Sequence, residues 1–206
     1  MWARPVQLRL SGYTSETYLA VRAWESATLD ACPVHGGVSC GLVGHGYYGR
    51  VKPEGILIAR FRCPQARKTF SLLPDFLSSH LSGELDEVEA VVLAVEAASS
   101  VEAAADRLRP DIELPGAVRW VRRRLGPVRT ALLVLVTMLP ALIGCAPRLG
   151  AVRAWLGSER ALVALRALAE GQLQKLRHPL GLRPRELGVR PPGGARQQEM
   201  GADPGG

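Results

Sequence analysis

Hydrophobic and polar positions alternate along this chain at different periods, and each change of period marks an expected element. VQLRL near the start alternates residue by residue, and in SETYLAVRAWESATL the residues Tyr18, Leu19, Val21, Ala23 and Leu29 suit a short helix capped by Ser15. Residues 32–78 are rich in glycine and carry short β-like runs, GYYGRV and GILIARFRC, with KPEG as turn chemistry between them. From residue 82 the period becomes helical. Leu85, Val88, Val92 and Val95 fall three and four apart and form one buried stripe, with Glu84, Asp86 and Glu87 in the first turn where the helix dipole favours carboxylates.

Ser99-Ser100-Val101-Glu102 has capping-box spacing with Ser99 as N-cap. A second helix, SVEAAADRL, is therefore expected to bury Val101, Ala104, Ala105 and Leu108 and to end at Pro110. Pro115 opens a third helix, PGAVRWVRRRL, which Gly126 and Pro127 close. The uncharged run 131–146, ALLVLVTMLPALIGCA, spans about 24 Å as a helix and is shorter than the roughly 20 residues a membrane core requires. Pro140 and Gly144 interrupt it, so it reads as a kinked core helix or a buried helix pair rather than a membrane span.

The expected fold is α+β and mostly helical. Its parts are an N-terminal arm with a short helix (1–31), a zinc-ribbon-like β-hairpin module (32–78), a helix-turn-helix-like unit (82–129), an apolar helical region (130–180) and a tail of disordered composition (181–206).

Across its 206 residues the chain has a formal charge of +7, with a pI near 9.7. That balance favours a polyanionic partner. Cys32, Cys40 and Cys63 cluster in sequence while Cys145 stands in an apolar run, which favours local metal ligation in a reducing compartment over disulfides. MWARPVQLRLSGY has no apolar signal core, so a cytoplasmic location is expected.

Cys32-Pro33-Val34-His35 is a knuckle that places two zinc ligands on one turn. Its counterpart, Cys63-Pro64-Gln65-Ala66, ends in a residue that cannot ligate, followed by the cationic Arg67. Cys40 is the nearest replacement, giving Cys32, His35, Cys40 and Cys63 as the candidate zinc set, with His45 in reserve and a metal-free degenerate ribbon as the alternative. Such a zinc would be structural, because four protein ligands leave no open position.

Basic residues interleave with Tyr47, Tyr48, Phe61 and Phe70 beside this motif, and Arg50, Arg60, Arg62 and Lys68 are candidate nucleic-acid contacts. Three helices, with a short alanine-rich second one, have the outline of a helix-turn-helix. The third would present Arg119, Arg122 and Arg123, with Arg124 beside them as the i+4 partner of Trp120, to double-stranded DNA.

At these residues the chain resembles the N-terminal zinc-ribbon and helix-turn-helix region of bacterial insertion-sequence transposase-related proteins. The resemblance rests on Cys32-Pro33, His45-Gly46-Tyr47-Tyr48-Gly49-Arg50, Phe61-Arg62-Cys63-Pro64 and Thr69 to Pro74, in that order, and covers roughly residues 28–130. It implies recognition of DNA ends, or a remnant of that role. The departure lies at Ala66 and Arg67, where the pattern has a further ligand.

Catalysis is not expected. Transposase strand transfer needs separated carboxylates around divalent metals, whereas the acidic residues here lie in helical runs and Asp75 stands alone as a turn or cap residue. No phosphate loop, nucleophile elbow or His-Glu-x-x-His helix is present, and no small-molecule substrate is indicated. In RAWLGSERALVALRALAEGQLQKL, Trp155, Leu156, Leu162, Leu165, Leu168, Leu173 and Leu176 form an apolar side that the 131–146 segment or a second copy would cover. A protein-interaction or dimerisation module is thus the rival function, with a membrane-associated helical protein third.

Overall fold

VQLRL is not part of a free arm: it is strand β1 (Val6–Leu10), an edge of a four-stranded sheet. This computed structural model describes residues 6–182, and the tail expected over 181–206 lies outside them except for Gly181 and Leu182, which are buried. The other strands are β2 (Val43–Gly49), β3 (Leu57–Cys63) and β4 (Lys68–Pro74), in the order β1-β4-β3-β2. β2, β3 and β4 form an antiparallel meander, and β1 joins β4 in parallel with Val6 opposite Phe70 and Leu10 opposite Pro74. The expected hairpins are therefore present, within a sheet that also recruits the N-terminus.

Helices α1 (Ser15–Ala20) and α2 (Ala23–Ser26) follow β1. The cap of α1 is Thr14, one residue before the expected Ser15, because Thr14 and Thr17 close a reciprocal capping box. Tyr18 is fully buried between Trp24 and Phe76 and donates its hydroxyl to the Leu57 carbonyl at 2.8 Å, which fastens α1 to β3.

The helical half is arranged around α3 (Leu85–Ala97), against which α4 (Val101–Leu108), α5 (Leu114–Met138), α6 (Leu149–Leu156) and α7 (Ala161–Leu168) all pack. The stripe Leu85, Val88, Val92 and Val95 is buried as its spacing requires. Two acidic residues of the same helix were not readable as structural. Glu89 accepts the backbone N–H groups of Ala161 and Leu162 at 3.1 and 2.9 Å, and Glu96 those of Leu149 and Gly150 at 2.8 and 2.9 Å. Seven residues apart, these carboxylates share one face of α3 and satisfy the first amides of α7 and α6, where the helix dipoles also favour negative charge. At Gly150 the approach is close: a Cβ there would lie 3.3 Å from Glu96 Oε2, so the carboxylate would have to shift by a few tenths of an ångström.

Two sequence expectations are corrected here. The cap of α4 is Ser100, whose hydroxyl accepts from the Ala103 N–H at 3.0 Å, rather than Ser99. More consequentially, Gly126 and Pro127 do not end the third helix: α5 runs through them to Met138, so the boundary drawn between residues 129 and 130 falls inside it. Proline lacks one amide and costs about 3 kcal/mol inside a helix. The buried row Val118, Val121, Leu125, Val128, Leu132 and Leu135 keeps its three-four spacing across Pro127 and offsets that penalty. The run 131–146 accordingly divides into the last turns of α5, a 3₁₀ turn at Pro140–Leu142 and an irregular remainder. No helix among the described residues is long and apolar enough to cross a membrane.

Behind β4 the chain continues buried but without regular structure through Ser79, and its carbonyls need partners. Arg166 of α7, itself fully buried, supplies them. Its guanidinium donates to the carbonyls of Pro74, Asp75 and Leu77, and also to those of Pro179 and Leu180 near the end of the described chain. Burial pulls its pKa down to about 10, so the group remains charged at neutral pH. Asp75, expected to be an isolated turn residue, is ion-paired in two-toothed fashion with Arg9 of β1 at 2.8 and 2.9 Å.

Replacing Arg166 with methionine keeps most of the volume and leaves these carbonyls without a donor. The variant is expected to lose about 3–5 kcal/mol of stability by denaturant unfolding, whereas the exposed Arg119→Met should change it by less than about 0.5 kcal/mol.

Candidate metal centre

Three thiols and one imidazole meet at the end of the sheet where β3 ends and β4 begins. Cys32, His35 and Cys40 come from the irregular loop between α2 and β2, and Cys63 is the last residue of β3. The ligating atoms of Cys32, His35, Cys40 and Cys63 all lie within 4.8 Å of one another. His35 Nδ1 stands 3.4 Å from Cys32 Sγ and 3.5 Å from Cys63 Sγ. Around a tetrahedral zinc with ordinary bond lengths, a sulfur and a nitrogen ligand are separated by about 3.6 Å. The sequence-derived set is thus brought together, and the cluster is capable of coordinating a metal. His45, the reserve ligand, sits exposed in β2 outside it.

Local backbone geometry explains why Ala66 is compatible with this arrangement. Pro64 to Arg67 forms a turn closed by the Arg67 N–H to the Pro64 carbonyl, with Arg67 at φ 51°. That turn directs the Ala66 N–H to Cys63 Sγ at 3.3 Å. Position 66 therefore contributes a backbone donor to Cys63 Sγ, and the fourth side chain of the cluster comes from Cys40. On the first knuckle the His35 and Gly36 amides bond the Cys32 carbonyl at 3.1 and 2.8 Å. Gly41, at φ +72°, lets the Cys40 turn lie against the Cys63 turn, since a Cβ there would stand 3.2 Å from Pro64 Cγ.

The electrostatics separate the thiols. Burial raises the Cys32 pKa, but the backbone amides of Val34 and His35, with the His35 ring, outweigh it and bring the thiol down to about 6. Cys40 is pushed up to about 11, first by burial and then by the neighbouring thiols of Cys63 and Cys32. A cation in the cluster would favour the thiolate against both the burial and the neighbouring thiols that raise Cys40. The three cysteines are buried and unpaired by disulfides, and Phe70 completes their small apolar cluster.

The sequence-predicted cationic contacts fall into two groups. Arg119, Arg122 and Arg123 are exposed on the outer side of α5, with Arg122 ion-paired to Glu102 at 3.3 Å. Arg62 and Lys68 are exposed near the cysteine cluster. The others have structural partners. Arg50 donates to the carbonyls of Ser78 and Leu81 at 3.1 and 2.6 Å, Arg124 stacks on Trp120 with its Cζ 3.9 Å from the ring centre, and Arg60 reaches the Tyr47 carbonyl at 3.5 Å. Sequence reasoning missed a cleft along β2, whose signal is the Gly44-His45-Gly46 run: glycine inside a strand marks a bulge.

Compared with protein-family models, curated proteins and solved structures, the chain gives no match.

The geometry leads to a defined metal stoichiometry. Elemental analysis of the purified protein should find about one zinc per chain, lost in Cys40→Ser and in Cys63→Ser and retained in His45→Ala. Zinc retained in Cys40→Ser would remove Cys40 from the ligand set.

Proposed function

We propose that this chain is a non-catalytic, zinc-clipped protein that binds double-stranded DNA, as the resemblance to transposase-related ribbons implies. The observation that carries the reading is the row on α5. Arg119, Arg122 and Arg123 sit three and four residues apart on its exposed side, and among the described residues Arg119 and Arg123 have no ion-pair partner. Guanidinium groups at that spacing can grip adjacent phosphates or reach guanine edges in a major groove. The net charge of +7 supplies the long-range attraction. Zinc in the Cys32, His35, Cys40 and Cys63 cluster serves folding rather than reaction, because all four positions are taken by protein. Arg62 and Lys68, exposed beside it, extend the cationic surface.

A second reading is favoured by one specific feature. Leu133, Val134, Ile143, Trp155 and Leu168 remain exposed in the helical half, which suits a protein-interaction or dimerisation module. Trp155 and Leu168, both expected on a covered side, are 56% and 47% exposed.

Mobility-shift titrations across a salt series separate the two. The double variant Arg122→Ala/Arg123→Ala should weaken duplex binding by about tenfold or more near 0.1 M salt and lower the magnitude of the salt slope by about 2. Duplex binding absent at low salt, with a stable dimer by analytical ultracentrifugation, would favour the interaction module.

A further inference from the structure

Between Glu113 and Glu159 the chain carries no carboxylate, and seven arginines fall in that interval. Within it lies an exposed apolar face at the far end of α5. Leu133 and Val134 continue the outer side of the helix one turn beyond Arg129 and Thr130, and Thr137 follows one turn later. The chain then passes through the 3₁₀ turn at Pro140–Leu142 to Ile143, which is 71% exposed, and Gly144, at φ +84°, carries it round the tip. Trp155 of α6 donates its indole N–H to the Ala141 carbonyl at 2.8 Å, which lays its exposed ring against that turn. α5, the turn and α6 thus converge on one apolar surface.

The polar groups of this face already make their hydrogen bonds within the fold. Thr130 donates its hydroxyl to the Gly126 carbonyl at 3.1 Å and Thr137 donates to that of Val134 at 2.8 Å, both inside α5. With Trp155 Nε1 on Ala141, these three donors can leave water without losing a partner. Entry into a medium that offers no hydrogen bonds therefore costs them little. Positive charge stands at the margins: Arg129 lies one turn before Leu133, and Arg148 lies about two turns before Trp155 on the same side of α6. Both are exposed, and neither is ion-paired among the described residues. Of the carboxylates that touch α6, Glu96 accepts the amides of Leu149 and Gly150, and Glu159 is paired with Arg153.

We propose that this face docks peripherally on a bilayer of anionic lipids, with Leu133, Ile143 and Trp155 entering the acyl boundary and Arg129 and Arg148 meeting the charged headgroups. A second copy of the chain fits less well. A two-fold interface would set the face on itself, and its arginines would meet arginines with no carboxylate in the interval to separate them. A protein partner would gain no hydrogen bond from hydroxyls and an indole that are already engaged. The docking is independent of the DNA-binding reading, since Leu133 lies about 21 Å along α5 from Arg119.

The test is cosedimentation of the full chain with vesicles of phosphatidylcholine, alone or with about 30% phosphatidylserine, at about 0.1 M salt. Wild type should bind the anionic vesicles about tenfold or more tightly than the neutral ones. Arg129→Gln/Arg148→Gln should weaken that binding about 10- to 30-fold, and Leu133→Gln/Ile143→Gln, which leaves the charge unchanged, about tenfold or more. Brominated acyl chains should quench wild-type tryptophan emission, and most of the quenching should disappear in Trp155→Phe. Should Leu133→Gln lower the unfolding midpoint, Ile143→Gln alone decides. Variants that bind anionic vesicles as tightly as wild type would overturn the docking face, as would quenching that persists in Trp155→Phe or binding indifferent to phosphatidylserine. Absence of vesicle binding would also overturn it, and a dimer that Leu133→Gln/Ile143→Gln dissociates would then assign the face to a second copy. Duplex mobility shifts of Leu133→Gln/Ile143→Gln should match wild type, so either reading can fail without the other.

Discussion

A buried guanidinium holds the two halves of this protein together. The segment after β4 must cross from sheet to helices through the interior, where irregular backbone has no ladder to satisfy its carbonyls. Arg166 gathers the carbonyls of Pro74, Asp75 and Leu77 on that segment and those of Pro179 and Leu180 on the returning chain, so one side chain on α7 ties three stretches remote in sequence. Only arginine has a planar fork with enough donors for such a set. Arg9 and Asp75 close the same junction from the sheet side, and the Ser79 hydroxyl donates to the Gly181 carbonyl at its far edge. Gly181 is required there, because a Cβ would collide with the Leu176 carbonyl.

The helical half uses the same device in the opposite sense. α6 and α7 begin without side-chain caps of their own at Arg148 and Arg160, and their first amides would be unsatisfied inside the fold. Glu96 and Glu89, two turns apart on α3, accept them. α3 therefore fixes the position of both later helices through charge as well as through its apolar stripe. α5 is held against it by a six-position heptad-like row, leaving its arginines on the outer side.

These features mark where sequence reading succeeds and where it stops. Local patterns carried through: the Leu85 stripe, the hairpins and the four-residue Cys/His set follow from spacing that a single segment can express. α5 was cut short because Gly126-Pro127 is a strong local stop signal, and only the continuing row Val128, Leu132 and Leu135 reveals that tertiary burial overrides it. Arg166, Glu89 and Asp75 were illegible for a different reason. Their partners lie 60 or more positions away or are backbone atoms, and a charged residue within a helical run gives no sign of which carbonyl or amide it will meet. Ala66 was judged by its side chain, whereas its contribution to the cysteine cluster is its N–H.

The loop from Ala27 to Leu42 bears on whether the cysteine cluster can be ordered by packing alone. It contains no helix or strand; Val34 and Val38 are 47% and 62% exposed, while Leu29 and Leu42 pack half-buried on the cysteine cluster. The fully buried members of its apolar cluster are three cysteines and Phe70, with Val6, Leu8, Leu29, Leu42, Phe61 and Ala66 half-buried around them, a small core against which to set the conformational entropy of fixing that many residues. The cysteines form no disulfide that would shrink the unfolded ensemble. Beside this packing stands the convergence of four potential ligand atoms, three of them from the loop itself and one from the end of β3. Metal binding to such a set contributes directly to folding free energy. The Cys/His cluster is therefore the point on which the fold of this loop converges, and it is capable of holding a metal.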